Sequence, residues 1–253
     1  MSKTIVISLI FYLIFAGKVF AEEPSAVFAK ANTEYQQGRY EEAGGLYEQI
    51  LESGQESGAL YYNLGNSYFK KGQIGKAILN YERALDFFPR DADLQANYAF
   101  ARSITRGLDE RGTVFARFAK RGALLLARNE YAWVALFLLG VLAGVHLMSL
   151  SFNWRRNLQT VVIMVGLLAL IFHGFFWVLH ERFFARRAIV LKDSSVLFEP
   201  REGATAHFQV YEGDPVEVLK IQDSWGKVAR FDGKEGWITT DHFERLRRGK
   251  TNQ

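Results

Sequence analysis

Among the side chains of this protein, four asparagines are best suited to bind another molecule. Asn32 and Asn66 are 34 residues apart, and so are Asn63 and Asn97, which predicts that each pair occupies equivalent positions in a repeated unit. An asparagine amide both donates and accepts hydrogen bonds, so it can hold the main chain of an extended peptide. We expect these amides to line one partner-binding groove, together with Phe28, Tyr35, Ala59, Tyr62, Phe69 and Lys70. The alternative is that the asparagines only satisfy neighbouring turns.

Residues that could perform catalysis or hold a metal show no comparable pattern. The sequence has no cysteine, its five histidines are scattered, and it contains no serine-nucleophile, zinc-protease or phosphate-loop motif. His146 and His173 lie at different depths of two apolar segments and are not expected to share a metal ion. The acidic residues of the helices are expected at ordinary solvated positions. The sequence therefore predicts a protein that is not an enzyme and has no cofactor and no metal, and its formal charge of +4 does not suggest a nucleic-acid partner.

The 34-residue spacing also relates small and aromatic residues. Gly38 corresponds to Gly72 and Ala43 to Ala77. The other matching positions are Tyr35 with Phe69 and Tyr47 with Tyr81. This period is typical of the tetratricopeptide repeat, in which each unit is a pair of helices that cross closely at small residues. With a partial third unit after Pro89, the pattern predicts an all-α repeat domain over residues 22–106.

The N-terminal segment is a candidate export signal. An apolar stretch at residues 4–17 follows Lys3 and is followed by Ala21, an arrangement typical of a signal peptide over residues 1–21 that is cleaved after export. The alternative is an uncleaved anchor helix.

Two further apolar segments predict transmembrane helices at residues 131–151 and 158–180. Each is long enough, at about 1.5 Å per residue, to cross a hydrocarbon core of about 30 Å. The link between them is short, so they should form a hairpin in contact with membrane lipid. Gly140 and Gly144 form a GxxxG pair, which would allow another helix to pack closely.

A basic connector, residues 107–130, precedes the hairpin. On a helical projection its apolar side chains fall on one side and its basic side chains on the other, which suits a membrane surface. An ordinary helix packed on the repeat domain is the alternative.

The order of the segments predicts the orientation of the hairpin. If the signal is cleaved, the repeat domain and the C-terminal domain lie outside the cytoplasm, and the link with Arg155 and Arg156 lies inside. Basic residues on the outer flanks outnumber these two arginines, so the positive-inside rule alone favours the opposite arrangement. We expect the exported arrangement because the signal acts first.

After Arg187 the sequence changes to short alternating runs separated by turns, which predicts a small all-β barrel over residues 188–248. The expected strands are 188–191, 195–198, 207–211, 215–221, 226–231 and 236–240. The spacing of Trp225, Gly236 and Trp237 resembles that of bacterial SH3-like domains. The residues after Ile238 lack the proline and tyrosine of the SH3 peptide groove, so recognition of a PxxP peptide is not expected. The two tryptophans belong either to the core or to a binding surface.

Taken in order, these segments resemble the BatE-type proteins encoded in bacterial Bat (aerotolerance) operons. The resemblance implies a scaffold in the bacterial cytoplasmic (inner) membrane, with the repeat and SH3-like domains on the periplasmic side. It also implies work with von Willebrand A-domain Bat proteins and a MoxR-type ATPase in envelope or oxidative stress tolerance.

The residues themselves predict a narrower function, a membrane-anchored scaffold for protein–protein interaction. The rival function is a cell-wall-binding or wall-sensing protein whose SH3-like domain holds peptidoglycan. The expected fold class is a multi-domain membrane protein with an all-α tetratricopeptide-repeat domain, a two-helix transmembrane hairpin and an all-β SH3-like barrel.

Overall fold

The computed structural model describes residues 24–106, 128–151 and 156–247. The predicted signal peptide and residues 107–127 of the predicted connector lie outside these ranges. The chain divides into two compact units, with the boundary between Glu56 and Ser57.

The first unit contains one helical hairpin. Helix α1 spans Pro24–Gln36 and helix α2 spans Tyr40–Glu52. The turn between them contains Gly38 at a φ of +78°, a conformation that favours glycine. Ala31 and Ala43 are fully buried, as the crossing of two closely packed helices requires. The first predicted repeat is therefore a hairpin.

The second unit begins with helices α3 (Gly58–Lys70), α4 (Ile74–Phe87) and α5 (Ala92–Ser103). The side chain of Ser57 accepts a hydrogen bond from the amide of Leu60, and that of Asp91 accepts one from the amide of Leu94. These contacts cap α3 and α5.

The small residues of the second repeat lie where the two helices touch. A Cβ added to Gly65 would lie 2.7 Å from Cδ1 of Tyr81, and Ala77 is fully buried. The prediction that small residues permit the close crossing of α3 and α4 is confirmed.

Helices α6 (Arg128–Ser151) and α7 (Arg156–Arg186) pack on each other. Their close contact is at Gly166, where an added Cβ would lie 1.9 Å from Cδ2 of Leu142. A Cβ added to Gly140 or Gly144 would meet no atom within 4 Å. The contact between these helices thus uses Gly166, and packing of the GxxxG pair against another helix stays a prediction.

Among the described residues, one helical segment, Ile163–Arg186, is long and apolar enough to cross a membrane. The apolar stretch found in α6 is shorter, Trp133–Leu142. Two transmembrane helices therefore remain a prediction.

The chain passes from α7 directly into an antiparallel sheet, here called the β-domain (residues 187–247). Its strands are β1 Arg187–Val190, β2 Ser194–Leu197, β3 Ala206–Val210, β4 Pro215–Gln222, β5 Trp225–Ala229, β6 Glu235–Thr239 and β7 Phe243–Arg245. They follow the order β3-β2-β6-β5-β4-β1-β7. The six predicted strands are confirmed, and β7, which follows a short 3-10 turn at Thr240–His242, is an addition.

The sheet surrounds one hydrophobic core. Residues of both outermost strands, Phe208 and Val210 from β3 and Phe243 from β7, belong to the same buried cluster. Trp225 and Trp237 alternate with buried residues along β5 and β6 and are only half-buried. Of the two alternatives for these tryptophans, the core position is wrong, and both rings lie on the outer face of the sheet.

Helix α4 is buried against the β-domain as well as against α3. Arg83, which is only 6% exposed, donates hydrogen bonds from Nε to the carbonyl of Leu246 at 2.9 Å and from Nη2 to the carbonyl of Arg245 at 2.8 Å. Its Nη2 also lies 2.7 Å from Oε1 of Glu244. One arginine of the repeat thus holds the last strand of the β-domain and the residue that follows it.

Glu82 forms the second charged contact. Its carboxylate accepts two hydrogen bonds from the guanidinium of Arg187, at 2.7 and 2.9 Å, and one from the hydroxyl of Tyr98 at 2.6 Å. Burial and the neighbouring carboxylate raise the pKa of Tyr98 well above its ordinary value. Glu82 is 6% exposed and Asp86 is 5% exposed, so the expectation that the acidic residues of the helices are solvated is wrong at these two positions. Arg187 lies against Glu82, and His180 of α7 and Arg247 lie against Asp86.

The first turn of α4 is capped by a residue distant in sequence. Gln73, at the N-cap position, makes no side-chain capping bond. Oε1 of Glu212, in the turn between β3 and β4, accepts a hydrogen bond from the amide of Gly75 at 2.6 Å. A carboxylate at a helix N-terminus is favoured by both hydrogen bonding and the helix dipole, so this contact also fixes the β-domain on the repeat.

Candidate partner-binding face of the second repeat

The candidate site lies on the half-buried face of α3, together with the neighbouring face of α5. Tyr62, Asn63, Asn66 and Phe69 are half-buried there, and Lys70 is exposed. From the adjacent helix, the side chain of Asn97 reaches this face. The structure therefore brings together six of the seven predicted site residues.

The amides of this face form a network with two tyrosines. The hydroxyl of Tyr81 donates to Oδ1 of Asn66 at 2.7 Å. Nδ2 of Asn97 donates to the hydroxyl oxygen of Tyr62 at 2.8 Å and to Oδ1 of Asn66 at 3.3 Å. Part of each amide is thus used within the domain, as the alternative interpretation of the asparagines expects.

The remaining amide atoms are open to a ligand. No described residue bonds to Nδ2 of Asn66 or to Oδ1 of Asn97. Nδ2 can donate to a peptide carbonyl, and Oδ1 can accept from a peptide N–H. Because the internal bonds already hold both asparagine side chains in place, these side chains would lose little conformational entropy when a peptide binds.

The seventh predicted residue, Asn32, belongs to the first unit. Its Oδ1 accepts a hydrogen bond from the hydroxyl of Tyr47 at 2.6 Å. Tyr81 makes the same hydrogen bond to Asn66, one repeat later in the sequence. Asn32 therefore has a structural role in its own hairpin, and its part in partner binding stays a prediction.

A patch of exposed apolar side chains lies beside the amides and was not predicted. The ring of Phe69 lies 5.6 Å from that of Phe100, centroid to centroid. Phe100 is 58% exposed and Ile104 is 51% exposed. In the repeat register these residues correspond to Asn66 and Lys70, so the signal that could have identified them is the break in the repeated pattern. An apolar patch beside free hydrogen-bonding atoms is the usual composition of a protein-binding surface.

Among the described residues, no group of three or more histidine, aspartate and glutamate side chains could hold a metal ion. Oγ of Ser194 lies 2.7 Å from Nδ1 of His242, whose Nε2 lies 3.5 Å from a carboxylate oxygen of Asp241. Oγ of Ser194 also lies 2.9 Å from the carbonyl oxygen of Lys192, so this arrangement closes a turn.

Comparison with known proteins agrees with the helical part of the fold. A family model described as tetratricopeptide repeat matches residues 28–93. The C-terminal SH3 domain of myosin IB from Entamoeba histolytica, known from a crystal structure, is similar to 24% of this chain and is covered over 92% of its own length, with 18% identity and a TM-score of 0.19. No curated protein matches the chain.

Proposed function

We propose that this protein is a membrane-anchored scaffold that captures a protein partner on the α3–α5 face of its second repeat. Tetratricopeptide repeats are typically interaction modules without catalytic activity, and the matched model covers both helices of this repeat. The observation that carries the proposal is the open donor of Asn66 and the open acceptor of Asn97 beside the exposed ring of Phe100.

The expected ligand is an extended segment with a large apolar side chain. The two amides would bind its main chain, and the apolar side chain would cover Phe69 and Phe100. Lys70, one helical turn beyond Asn66, is placed to attract an acidic residue of the same segment. By the resemblance to BatE-type proteins, von Willebrand A-domain Bat proteins are the first partners to test, in a complex linked to envelope or oxidative stress tolerance.

Substitutions at two side chains test this site. Asn66→Asp keeps the oxygen that accepts from Tyr81 and removes the Nδ2 donor, and Phe100→Ser removes an exposed ring. Both variants should lose the partner in co-purification after detergent solubilisation, because a peptide carbonyl and an apolar side chain lose their contacts. Phe231→Ser, at a ring of the β-domain that is 41% exposed, is the matched control. Equal partner recovery from all three variants, with unchanged helical content, would place the binding site elsewhere.

The anchoring part of the proposal rests on the surface of α7. Along its apolar segment large side chains are strongly exposed, including Leu168 at 62%, Ile171 at 68% and Phe172 at 65%. A continuous apolar surface of this kind is unfavourable in water and matches the hydrocarbon of a bilayer. The contacts of α4 with the β-domain hold the repeat and the β-domain together, so both would lie on one side of the membrane. By the signal-like N-terminus, we propose the periplasmic side of the bacterial inner membrane.

Accessible cysteines test this topology, since the protein has none of its own. Gly58 is unsuitable because an added Cβ would lie 2.4 Å from the ring of Phe88, whereas Ala59 is exposed. In intact spheroplasts an impermeant thiol reagent should label Ala59→Cys and Phe231→Cys and spare Asn153→Cys. Labelling confined to Asn153→Cys would reverse the orientation, and labelling of all three would exclude a spanning hairpin.

A cell-wall-binding function is the second candidate, and the outer-face position of Trp237 favours it. An indole ring on a sheet surface offers a flat apolar platform with one donor. If this function is correct, the full-length protein in detergent should sediment with purified peptidoglycan and Trp237→Ala should not. Failure of the unaltered protein to sediment would remove this candidate.

A further inference from the structure

The hairpin formed by β4 and β5 exposes two large apolar side chains close to its tip. Leu219 is 39% exposed and Ile221 is 43% exposed. They flank Lys220, which is exposed, and the hairpin closes at Asp223, whose φ is +52°. Trp225, half-buried, begins the returning strand. Exposed aliphatic residues at a tight turn, beside a lysine and a tryptophan, have the composition of a membrane-interface anchor.

The position of this tip follows from the strand register. Helix α7 ends at Arg186 and β1 begins at the next residue. Arg187 pairs with Glu217 in antiparallel fashion, so the rest of β4 continues beyond the start of β1, on the side from which α7 arrives. Helix α7 also contacts β4 directly, with Nη1 of Arg186 lying 3.3 Å from Oε1 of Glu217.

The outer part of β4 is as long as the last part of α7 requires. From Glu217 to Gln222 the strand advances by about 16 Å, at about 3.3 Å per residue. From Arg187 back to Leu179, where the continuous apolar sequence of α7 ends, the helix covers about 12 Å at 1.5 Å per residue. The hairpin is therefore long enough to reach the level at which the apolar sequence of α7 ends.

We propose that the tip of the β4–β5 hairpin is inserted in the headgroup region of the same bilayer that α7 crosses. The ligand is a lipid surface: Leu219 and Ile221 enter the boundary of the acyl chains, and Lys220 pairs with lipid phosphate. The β-domain then has two attachments to the membrane, which fix its orientation and hold the α3–α5 face of the repeat at a defined height. This inference rests on the anchoring part of the proposed function.

Single cysteines with an environment-sensitive fluorophore test it in the full-length protein. Ile221→Cys reports on the tip, and Phe172→Cys, in the middle of α7, reports on insertion itself. Phe231→Cys is the matched control, since it is 41% exposed and lies next to the turn that joins β5 to β6. Each labelled protein is reconstituted in vesicles of phosphatidylcholine and phosphatidylglycerol that contain lipids with a nitroxide near the headgroup or deep in the acyl chain.

The fluorophore at residue 221 should emit at shorter wavelength than the one at 231 and be quenched most by the headgroup-proximal nitroxide. The fluorophore at residue 172 should be quenched most by the deep nitroxide. Equal, water-like emission at 221 and 231 together with deep quenching at 172 would overturn the hairpin anchor alone. Absence of quenching at 172 would overturn membrane anchoring and the hairpin anchor together.

Discussion

The guanidinium of Arg83 gives the most direct test of how the repeat and the β-domain are joined. It is almost fully buried on α4 and makes three contacts with the end of the β-domain, to the carbonyls of Arg245 and Leu246 and to the carboxylate of Glu244. In the Arg83→Ala variant both carbonyls lose a charged donor at a buried site. Because the carboxylate of Glu244 is 43% exposed, the main cost is that of a buried acceptor left without its donor, about 1–3 kcal/mol.

This magnitude should appear as lower stability of the second unit and as faster amide exchange in β7. The bond that the amide of Leu246 donates to the carbonyl of Arg187 should lose protection together with that strand. Hydrogen exchange of the detergent-solubilised protein, read by mass spectrometry, measures both the size and the place of the effect. Thermal unfolding of the same sample provides the independent value.

The matched control is Arg186→Ala. Arg186 also pairs with a carboxylate of the β-domain, Glu217, at 3.3 Å, but its side chain is 64% exposed. Exposed pairs of this kind contribute about 0–1 kcal/mol. Equal losses in the two variants, or a loss at Arg83 that spares β7, would refute the assignment of Arg83 as the buried link between the domains.

Two further predictions concern local packing and pH. Gly65→Leu should destabilise the second unit by about 1–3 kcal/mol in thermal unfolding, because even a Cβ there would lie 2.7 Å from the ring of Tyr81; Gly45→Leu, at a position with no atom within 4 Å, should not. The hydrogen bond from Arg230 lowers the pKa of Asp232 to about 2, so the stability from this carboxylate is present above its ordinary value of 3.8 and is lost as the pH falls toward 2. Protection of the β5–β6 turn against hydrogen exchange, taken relative to the intrinsic exchange rate at each pH, should therefore fall over this acid range in the unaltered protein and change less in Asp232→Asn.

The repeat register and the strands could be predicted because both depend on local periodicity. Glycine and alanine recur where two helices must touch, and alternating apolar residues recur where a strand has one face in a core. Strand β7 has three residues, too few for an alternating pattern to be visible. The burial of Glu82 and Arg83 could not be predicted either, because their partners in the β-domain lie more than one hundred residues away in sequence and no period relates them.

The recurrence of the asparagines predicts partner binding, but part of it has a structural cause. Asn32 and Asn66 recur because each accepts a hydrogen bond from the tyrosine fifteen residues later, so their repetition reflects a bond within each hairpin. Residues that hold a repeat together must recur with it, whereas a ligand contacts each repeat differently. The exposed positions where the register is broken, Phe100 in place of an asparagine and Ile104 in place of a lysine, are therefore better evidence of a partner than the asparagines themselves. By the same reasoning, loss of partner binding should be larger in Phe100→Ser than in Asn32→Asp, because the aspartate keeps the oxygen that accepts the hydrogen bond from Tyr47 within the hairpin.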